Sequence, residues 1–170
     1  MENSTEVSPI PKDYGSLTPF VVVRGAAQFI EFLKDAFGAE EREARFANED
    51  GTLSHAEVWI GNRVLMMFDA KAAWPDTPSF LMIYVEDCDS VHDRALKAGA
   101  TEVTRLGDDP FGNRGSRVRD PFGNIWWIQT HIEDVDEAEM MKQMGEQKHI
   151  EAMIDATETL DRELSSRKQG

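Results

Sequence analysis

The sequence predicts an α+β fold made of two tandem β-α-β-β-β modules and a C-terminal helical extension. Strand-like and helix-like patterns follow in the same order twice, at a spacing of about 61 residues, which places Phe37-Gly38-Ala39 against Ala98-Gly99-Ala100. After Ile132, β-branched residues become few and Glu, Asp, Met and Lys become frequent. We therefore expect a flexible tail over residues 1–16, a single domain over 17–132 with modules at 17–70 and 79–132, and a helical extension over 133–170.

The first module is predicted to begin with a strand and a helix. Leu17 to Val23 is a valine-rich, strand-like run. Residues 26–37 carry apolar residues at helical spacing, and Gly38 is a typical helix stop. Glycine-containing turn signals then separate three predicted strands, at about 40–47, 52–60 and 63–69.

The second module repeats this order. Phe80 to Val85 is strand-like, and Asp87 or Asp89 can cap a helix that Gly99 ends. Three more strands are predicted near 101–105, 115–119 and 125–131.

Composition restricts the classes of partner. Acidic residues outnumber basic ones by 32 to 18, and the formal net charge is −14. This charge repels nucleic-acid phosphates and anionic membrane surfaces, so neither is an expected partner. The single cysteine, Cys88, excludes an intrachain disulfide and a cysteine-rich zinc site. The apolar runs are too short to span a bilayer and residues 1–16 are polar, so we expect a cytoplasmic protein.

The extension has an apolar face at roughly helical spacing, with Gly145 as a predicted break. We expect this Met-rich face to pack on its own domain or on a second copy of the chain; the alternative is a surface that binds a different protein. Its residues are Met140, Met144, Ile150, Met153, Ile154, Thr157 and Leu160.

Polar residues on the predicted strands are candidates for catalysis. His55 and Glu57 are two residues apart, so they share one side of a strand with Trp59. His55 can serve as a base that Glu57 orients; alternatively, the pair only forms structural hydrogen bonds between strands. His131 is expected to be solvated or capping, and His92 and His149 are expected to be surface residues.

Aromatic residues on or beside strands predict an apolar cavity. The adjacent Trp126 and Trp127 point to opposite faces of the last strand, so we expect one in the core and the other in a cavity. Trp127 shares its side with Gln129. Aromatic walls of this kind suit planar or hydrophobic ligands. The other aromatic candidates are Trp59, Phe80, Tyr84 and Phe111.

The sequence Asp-Pro-Phe-Gly-Asn occurs twice, at 109–113 and 120–124. The second copy is typical of a turn before a buried strand. We interpret the first copy as a lip of the cavity that carries Phe111, and the repetition as a coincidence of turn-forming composition. Nearby arginines can bind a carboxylate or phosphate, or can simply offset the surrounding acidic residues. These are Arg105, Arg114, Arg117 and Arg119.

Taken together, these residues resemble the vicinal oxygen chelate superfamily, which includes glyoxalases, extradiol dioxygenases, and fosfomycin- and bleomycin-resistance proteins. The resemblance covers residues 17 to about 140 and is strongest to a glyoxalase-like branch named after a phosphonate-operon protein. It implies curved sheets that enclose a cup, often completed in a homodimer. The matching segments are Thr18 to Val23, Phe32 to Ala39, Ser54 to Glu57, Val85 to Asp87 and Arg119 to Val135.

The resemblance also implies where a metal would be held. Metal-dependent members place His or Glu at the start of each module's first strand and on its last strand. In this chain those positions fall on Thr18, approximately Leu65, Phe80 and Trp127. Since three of these side chains have no donor atom for a metal, we expect the usual site and its cofactor to be absent, with a divalent metal elsewhere left open.

We therefore expect a homodimeric protein that binds a small organic molecule in an aromatic cup. The alternative is an enzyme, a glyoxalase-type lyase or isomerase or a dioxygenase-like member, that uses His55 and Glu57 with or without a metal. The predicted ligand-binding residues are Trp59, Phe80, Tyr84, Phe111, Arg117, Trp127 and Gln129.

Overall fold

Two β-sheets, one from each predicted module, form the framework of the protein, which is described for residues 7–167 by a computed structural model. With its helices this is a mixed α+β fold, as predicted. Residues 1–6 of the predicted tail and 168–170 of the extension lie outside the described residues. The chain divides into two compact units, the first ending at Thr77 and the second beginning at Pro78, with Asp35–Phe37 grouped with the second.

The first sheet contains β1 (Phe20–Val23), β2 (Glu40–Glu41), β3 (Phe46–Ala47), β4 (Leu53–Ile60) and β5 (Arg63–Asp69). The strand order is β1-β5-β4-β2, and β3 also pairs with β4. β1 is parallel to β5. The single strand predicted at 40–47 is two short strands, because the chain between Glu41 and Phe46 is longer than the β4 segment that it spans, from Val58 back to His55. The extra residues leave the pairing.

Helix α1 (Ala26–Phe37) has the predicted bounds. Its apolar stripe is fully buried at Phe29, Ile30 and Leu33. Gly25, the residue before the helix, has no side chain that could cap it. The carboxylate of Asp69, at the end of β5, caps the helix instead by accepting hydrogen bonds from the N–H groups of Gly25 and Ala26, at 2.7 and 3.0 Å.

The second unit repeats this arrangement with β6 (Phe80–Tyr84), α2 (Cys88–Lys97), β7 (Thr101–Asp108), β8 (Asn113–Arg119) and β9 (Ile125–His131). The order is β6-β9-β8-β7, again with the first strand parallel to the last. Asp87 caps α2 by accepting from Ser90 N–H at 3.0 Å. β7 and β8 are longer than predicted, because their pairing continues to Asp108 and Arg114.

The extension forms α3 (Glu137–Met144) and α4 (Gln147–Ser166), with the break at Gly145 that the sequence predicts. Helix α4 lies along β7. Arg117 and Arg119 of β8 bond to α4, whereas Ser116, the residue before Arg117, bonds to His92 of α2. Because successive residues of a strand point to opposite faces, α2 and α4 cover opposite faces of the second sheet.

The prediction that His92 and His149 are surface residues is wrong, since each is only 4% exposed. His92 points toward the sheet, with Nδ1 2.8 Å from Ser116 Oγ and Nε2 3.1 Å from Glu102. His149 is on α4 and is buried because that helix covers the sheet. His131 is exposed, as expected. No helix within residues 7–167 is long and apolar enough to cross a membrane.

Candidate functional site

A cavity of about 680 Å³ lies in the second unit, beneath α4. Strands β7, β8 and β9, with the turn after β7, supply one wall, and the N-terminal half of α4 supplies the other. Its lining includes Phe111, Gly115, Arg117, Trp127, Gln129, His149, Ala152 and Ala156. Four of the seven predicted ligand-binding residues, Phe111, Arg117, Trp127 and Gln129, are thus brought together.

The two adjacent tryptophans point to opposite faces of β9. Trp126 is 1% exposed, and its Nε1–H donates to the carboxylate of Asp120 at 2.9 Å. Trp127 lines the cavity. One ring therefore belongs to the core and the other to a cavity wall, as the strand alternation predicts.

Arg117 lies directly opposite Trp127 in the β8–β9 pairing, so the two side chains share a face. The guanidinium carbon is 4.2 Å from the centroid of the Trp127 ring, a cation–π contact. Nη1 of Arg117 donates to Ala156 O at 2.6 Å and to Thr104 Oγ1 at 3.4 Å. The neighbouring Nε is buried and has no hydrogen-bond partner within residues 7–167.

Burial lowers the pKa of Arg117, because the charged guanidinium loses hydration. The residue is 8% exposed, and among the described residues no carboxylate forms an ion pair with it. The result is a buried cation with unused donor capacity in a cavity wall.

The other three arginines of the segment differ from Arg117 because each has a carboxylate partner. Arg105 is 3.3 Å from Asp155, and Arg119 is 3.2 Å from Glu163. Arg114 bonds to both Asp89 and Asp108, at 2.8 and 2.9 Å. These three arginines therefore offset nearby acidic residues, which was one of the two interpretations of the segment.

His149 lines the cavity, although the sequence did not predict it as a candidate site residue. Its Nδ1 is buried without a partner among the described residues, and its Nε2 is 3.9 Å from a Glu146 oxygen. The signal in the sequence was the spacing of His149, Ala152 and Ala156, which places a polar residue and two small ones on one side of a helix.

Both copies of Asp-Pro-Phe-Gly-Asn form the same turn. The side chain of Asp109 accepts from the N–H groups of Phe111 and Asn113, and Asp120 accepts in the same way from Phe122 and Asn124, all at 2.8–3.0 Å. The first copy joins β7 to β8 and the second joins β8 to β9. Phe111 is 47% exposed and lines the cavity, which agrees with its interpretation as a lip.

The remaining predicted aromatic residues lie elsewhere. Phe80 and Tyr84 share the exposed side of β6 with Met82, outside the cavity lining, and are 46% and 61% exposed. Trp59 is in the first unit, where the guanidinium of Arg42 lies 6.0 Å from its ring centroid.

In the first unit, His55 and Glu57 form a hydrogen-bonded pair with Nε2 and Oε1 2.9 Å apart. Glu57 is 7% exposed and also accepts from Tyr14 Oη at 2.7 Å and Arg42 Nη1 at 2.8 Å. Burial alone would raise the pKa of Glu57, but the hydrogen bonds from Tyr14, His55 and Arg42 outweigh it, and the pKa is below its usual value. A carboxylate held in this way fixes the orientation of the His55 ring.

The side chains at the positions expected for a metal do not fit one. Leu65 is buried among the core residues and, like Phe80 and Trp127, has no donor atom that ligates a divalent ion. Within residues 7–167, no three or more His, Cys, Asp or Glu side chains are grouped so that they could hold a metal ion.

Comparison with known proteins agrees with this architecture. The model of the Glyoxalase/Bleomycin resistance protein/Dioxygenase superfamily matches residues 16–128. Uncharacterized proteins Rv0887c of Mycobacterium tuberculosis and Mb0911c of Mycobacterium bovis are each 36% identical over 143 residues, which is 78% of this chain and 84% and 93% of theirs.

Among solved structures, TioX from Micromonospora sp. ML1 is similar with a TM-score of 0.58 and 26% identity, over 69% of this chain and all of that one. The fosfomycin resistance protein FosX from Mesorhizobium loti has a TM-score of 0.53 and 16% identity, over 75% of this chain and 97% of its own. The latter likeness is one of fold.

Proposed function

Because the chain belongs to the glyoxalase/bleomycin resistance protein/dioxygenase superfamily, we propose that it is a small-molecule-binding protein whose ligand occupies the cavity beneath α4. The main support is the composition of this cavity, which has a volume of about 680 Å³ and has Trp127 and Phe111 in its walls. Two of its lining residues, Arg117 and His149, each have a buried nitrogen without a hydrogen-bond partner among residues 7–167. Ligand pockets in proteins are typically of this size and combine apolar walls with a few polar groups.

The unpaired nitrogens support a ligand rather than simple packing. A buried donor without an acceptor costs roughly 1–3 kcal/mol, so folded proteins rarely retain one without a function. Arg117 Nε is a donor of this kind, and His149 Nδ1 is a second unpaired nitrogen of the same lining, so a ligand in the cavity would supply the missing hydrogen-bond partners.

A cavity-filling variant tests the proposal. Small organic molecules would be screened by thermal shift, and those that stabilise the protein would be titrated by calorimetry. Ala152→Phe puts a ring into the cavity and should abolish binding, whereas Ala138→Phe, at an exposed position on α3, should leave binding unchanged. Ligands that bind equally well to the Ala152→Phe variant would place the site elsewhere and contradict the proposal.

The proposal requires no cofactor. Native mass spectrometry after titration with Ni²⁺, Zn²⁺, Fe²⁺ or Mn²⁺ should show no tight stoichiometric complex. A complex of that kind would count against a metal-free binding protein.

A second candidate is a glyoxalase-type lyase or isomerase, which the geometry of the first unit favours. Glu57 accepts from His55 Nε2, which leaves Nδ1 of the ring as the basic nitrogen. An activity screen on hemithioacetals and catechols, with wild type and His55→Ala, tests this candidate. Activity that disappears in the variant while the circular dichroism spectrum is retained would support the enzyme, and inactivity of wild type on the whole panel would favour the binding protein.

A further inference from the structure

The cavity lining contains one arginine, Arg117, that forms no ion pair with a carboxylate of residues 7–167. Arg105, Arg114 and Lys148 also line the cavity, and each has a carboxylate within 3.3 Å, on Asp155, on Asp89 and Asp108, and on Glu146 respectively. Arg117 has no ion pair among the described residues and is the most buried of the four. A buried charge without a partner is costly, and an anion that reaches it recovers that cost.

The acidic residues of the lining do not serve as that anion, because each is already engaged. Asp109 accepts from the N–H groups of its own turn, and Glu151 accepts from Gln147 at 2.7 Å. Asp108 and Asp155 pair with Arg114 and Arg105. We therefore expect the ligand to supply the anionic group that pairs with Arg117.

The surroundings also indicate what the rest of the ligand is. The face of the Trp127 ring contacts the guanidinium, and Phe111 stands at the edge of the same cavity with 47% of its surface exposed. Aromatic walls bind planar rings by burial and stacking. His149 Nδ1 offers one further polar contact.

On these grounds, and on the premise that the proposed function is correct, we propose that the ligand is a planar aromatic molecule with one carboxylate, which pairs with Arg117 while its ring packs against Trp127 and Phe111. One unpaired guanidinium balances one negative charge. Because the whole chain carries a net charge of −14, a phosphate dianion would leave an excess negative charge in a repulsive field.

Calorimetric titration of the wild-type protein with 2-naphthoate, the neutral 2-naphthamide and 2-naphthyl phosphate tests this without any mutation. We expect the carboxylate to bind roughly 10- to 100-fold more tightly than the amide, the factor typical of one charge-assisted hydrogen-bonded contact. Equal affinity for carboxylate and amide, tighter binding of the phosphate, or no binding by any of the three would overturn the inference.

Variants of β8 identify the group responsible. Arg117→Met should remove the preference for carboxylate over amide, whereas Arg119→Met, on the same face of the same strand but paired with Glu163, should keep it. A preference that survives in Arg117→Met would also overturn the inference. If instead neutral molecules bind and Ala152→Phe blocks them, the proposed function stands and only the carboxylate assignment fails.

Discussion

Arg117 and Arg119 are two residues apart on one strand and point to the same face, but they differ in exposure and in partner. Arg119 is half-exposed beside Glu163, and Arg117 is buried between Trp127 and a backbone carbonyl of α4. The sequence predicted an arginine-rich segment next to an aromatic strand. It did not predict which arginine has no carboxylate partner among residues 7–167, because three of the four carboxylates that pair with the other arginines come from elements distant in the chain.

The adjacent tryptophans give a prediction at the scale of single residues. Trp126→Ala should lower the free energy of unfolding by about 3–5 kcal/mol, since it leaves a large cavity in the core and removes a donor to Asp120. Trp127→Ala should cost clearly less, because that ring already faces a cavity. Urea denaturation measures both values, and a larger cost for Trp127 would contradict the assignment of the two faces.

Glu57 gives a prediction about pH. Its pKa is lower in the folded protein than its ordinary value of 4.5, so its stabilising contribution is present above that pH and is lost as pH falls through the folded pKa. Glu57→Gln should therefore lower the free energy of unfolding at pH 7 by about 1–3 kcal/mol, with a smaller effect near pH 3. Glu43→Gln is the control, because Glu43 also bonds to Arg42 but is exposed. A pH-independent difference for Glu57→Gln would contradict the role of its charge.

At the scale of elements, the repeated turn shows what local sequence determines. Identical five-residue segments form the same turn with the same side-chain acceptors, although one lies at the edge of a cavity and the other precedes the core strand. From the sequence, the repetition is interpreted as a coincidence of turn-forming composition. In the structure, each copy reverses the direction of the chain between two antiparallel strands.

The two turns differ in what surrounds them, and their glycines test this. Gly112 and Gly123 both have positive φ, 82° and 93°. Gly123→Ala should cost about 1–2 kcal/mol from backbone strain alone, since the nearest atom to its new Cβ is 3.9 Å away.

Gly112→Ala should cost more, because its Cβ would overlap the carbonyl oxygen of Glu133, in the segment that hydrogen-bonds back to Gly112. Thermal unfolding of both variants gives the comparison. Equal losses of stability would show that the chain after β9 moves aside without cost.

Helix α4 is the element whose role the sequence left most open. Its Met-rich face was predicted to pack on its own domain, on a second copy or on another protein. In the structure the side with His149, Ala152, Ala156 and Thr159 faces the second sheet, where Thr159 bonds to Thr104 at 2.8 Å, while Ile154 is 51% exposed. Short side chains allow the helix to approach the strands closely and still leave room for the cavity.

At the scale of the whole molecule, the homodimer and the cytoplasmic location stay predictions. The exposed row of Phe80, Met82 and Tyr84 on β6 is the apolar surface of the second unit at which we expect a second copy to bind. Met82→Lys should then convert a dimer into a monomer, and Met141→Lys, at an exposed position on α3, should not. Light scattering on a sizing column measures this, and a monomeric wild type or an unchanged dimer in Met82→Lys would contradict it.

The sequence by itself determined the class of fold, the bounds of α1 and β9, the turns, and the fact that Trp126 and Trp127 point to opposite faces of one strand. These features follow from periodicity and from glycine, proline and aspartate at particular positions, which act over a few residues. Only the tertiary structure decided that His149 is buried, that α4 covers the second sheet, and that Arg117, alone among the four arginines of its segment, has no carboxylate partner in the described part of the chain. Contacts such as that of Arg117 with Ala156 join residues 39 positions apart, and local patterns carry no record of which distant groups will meet.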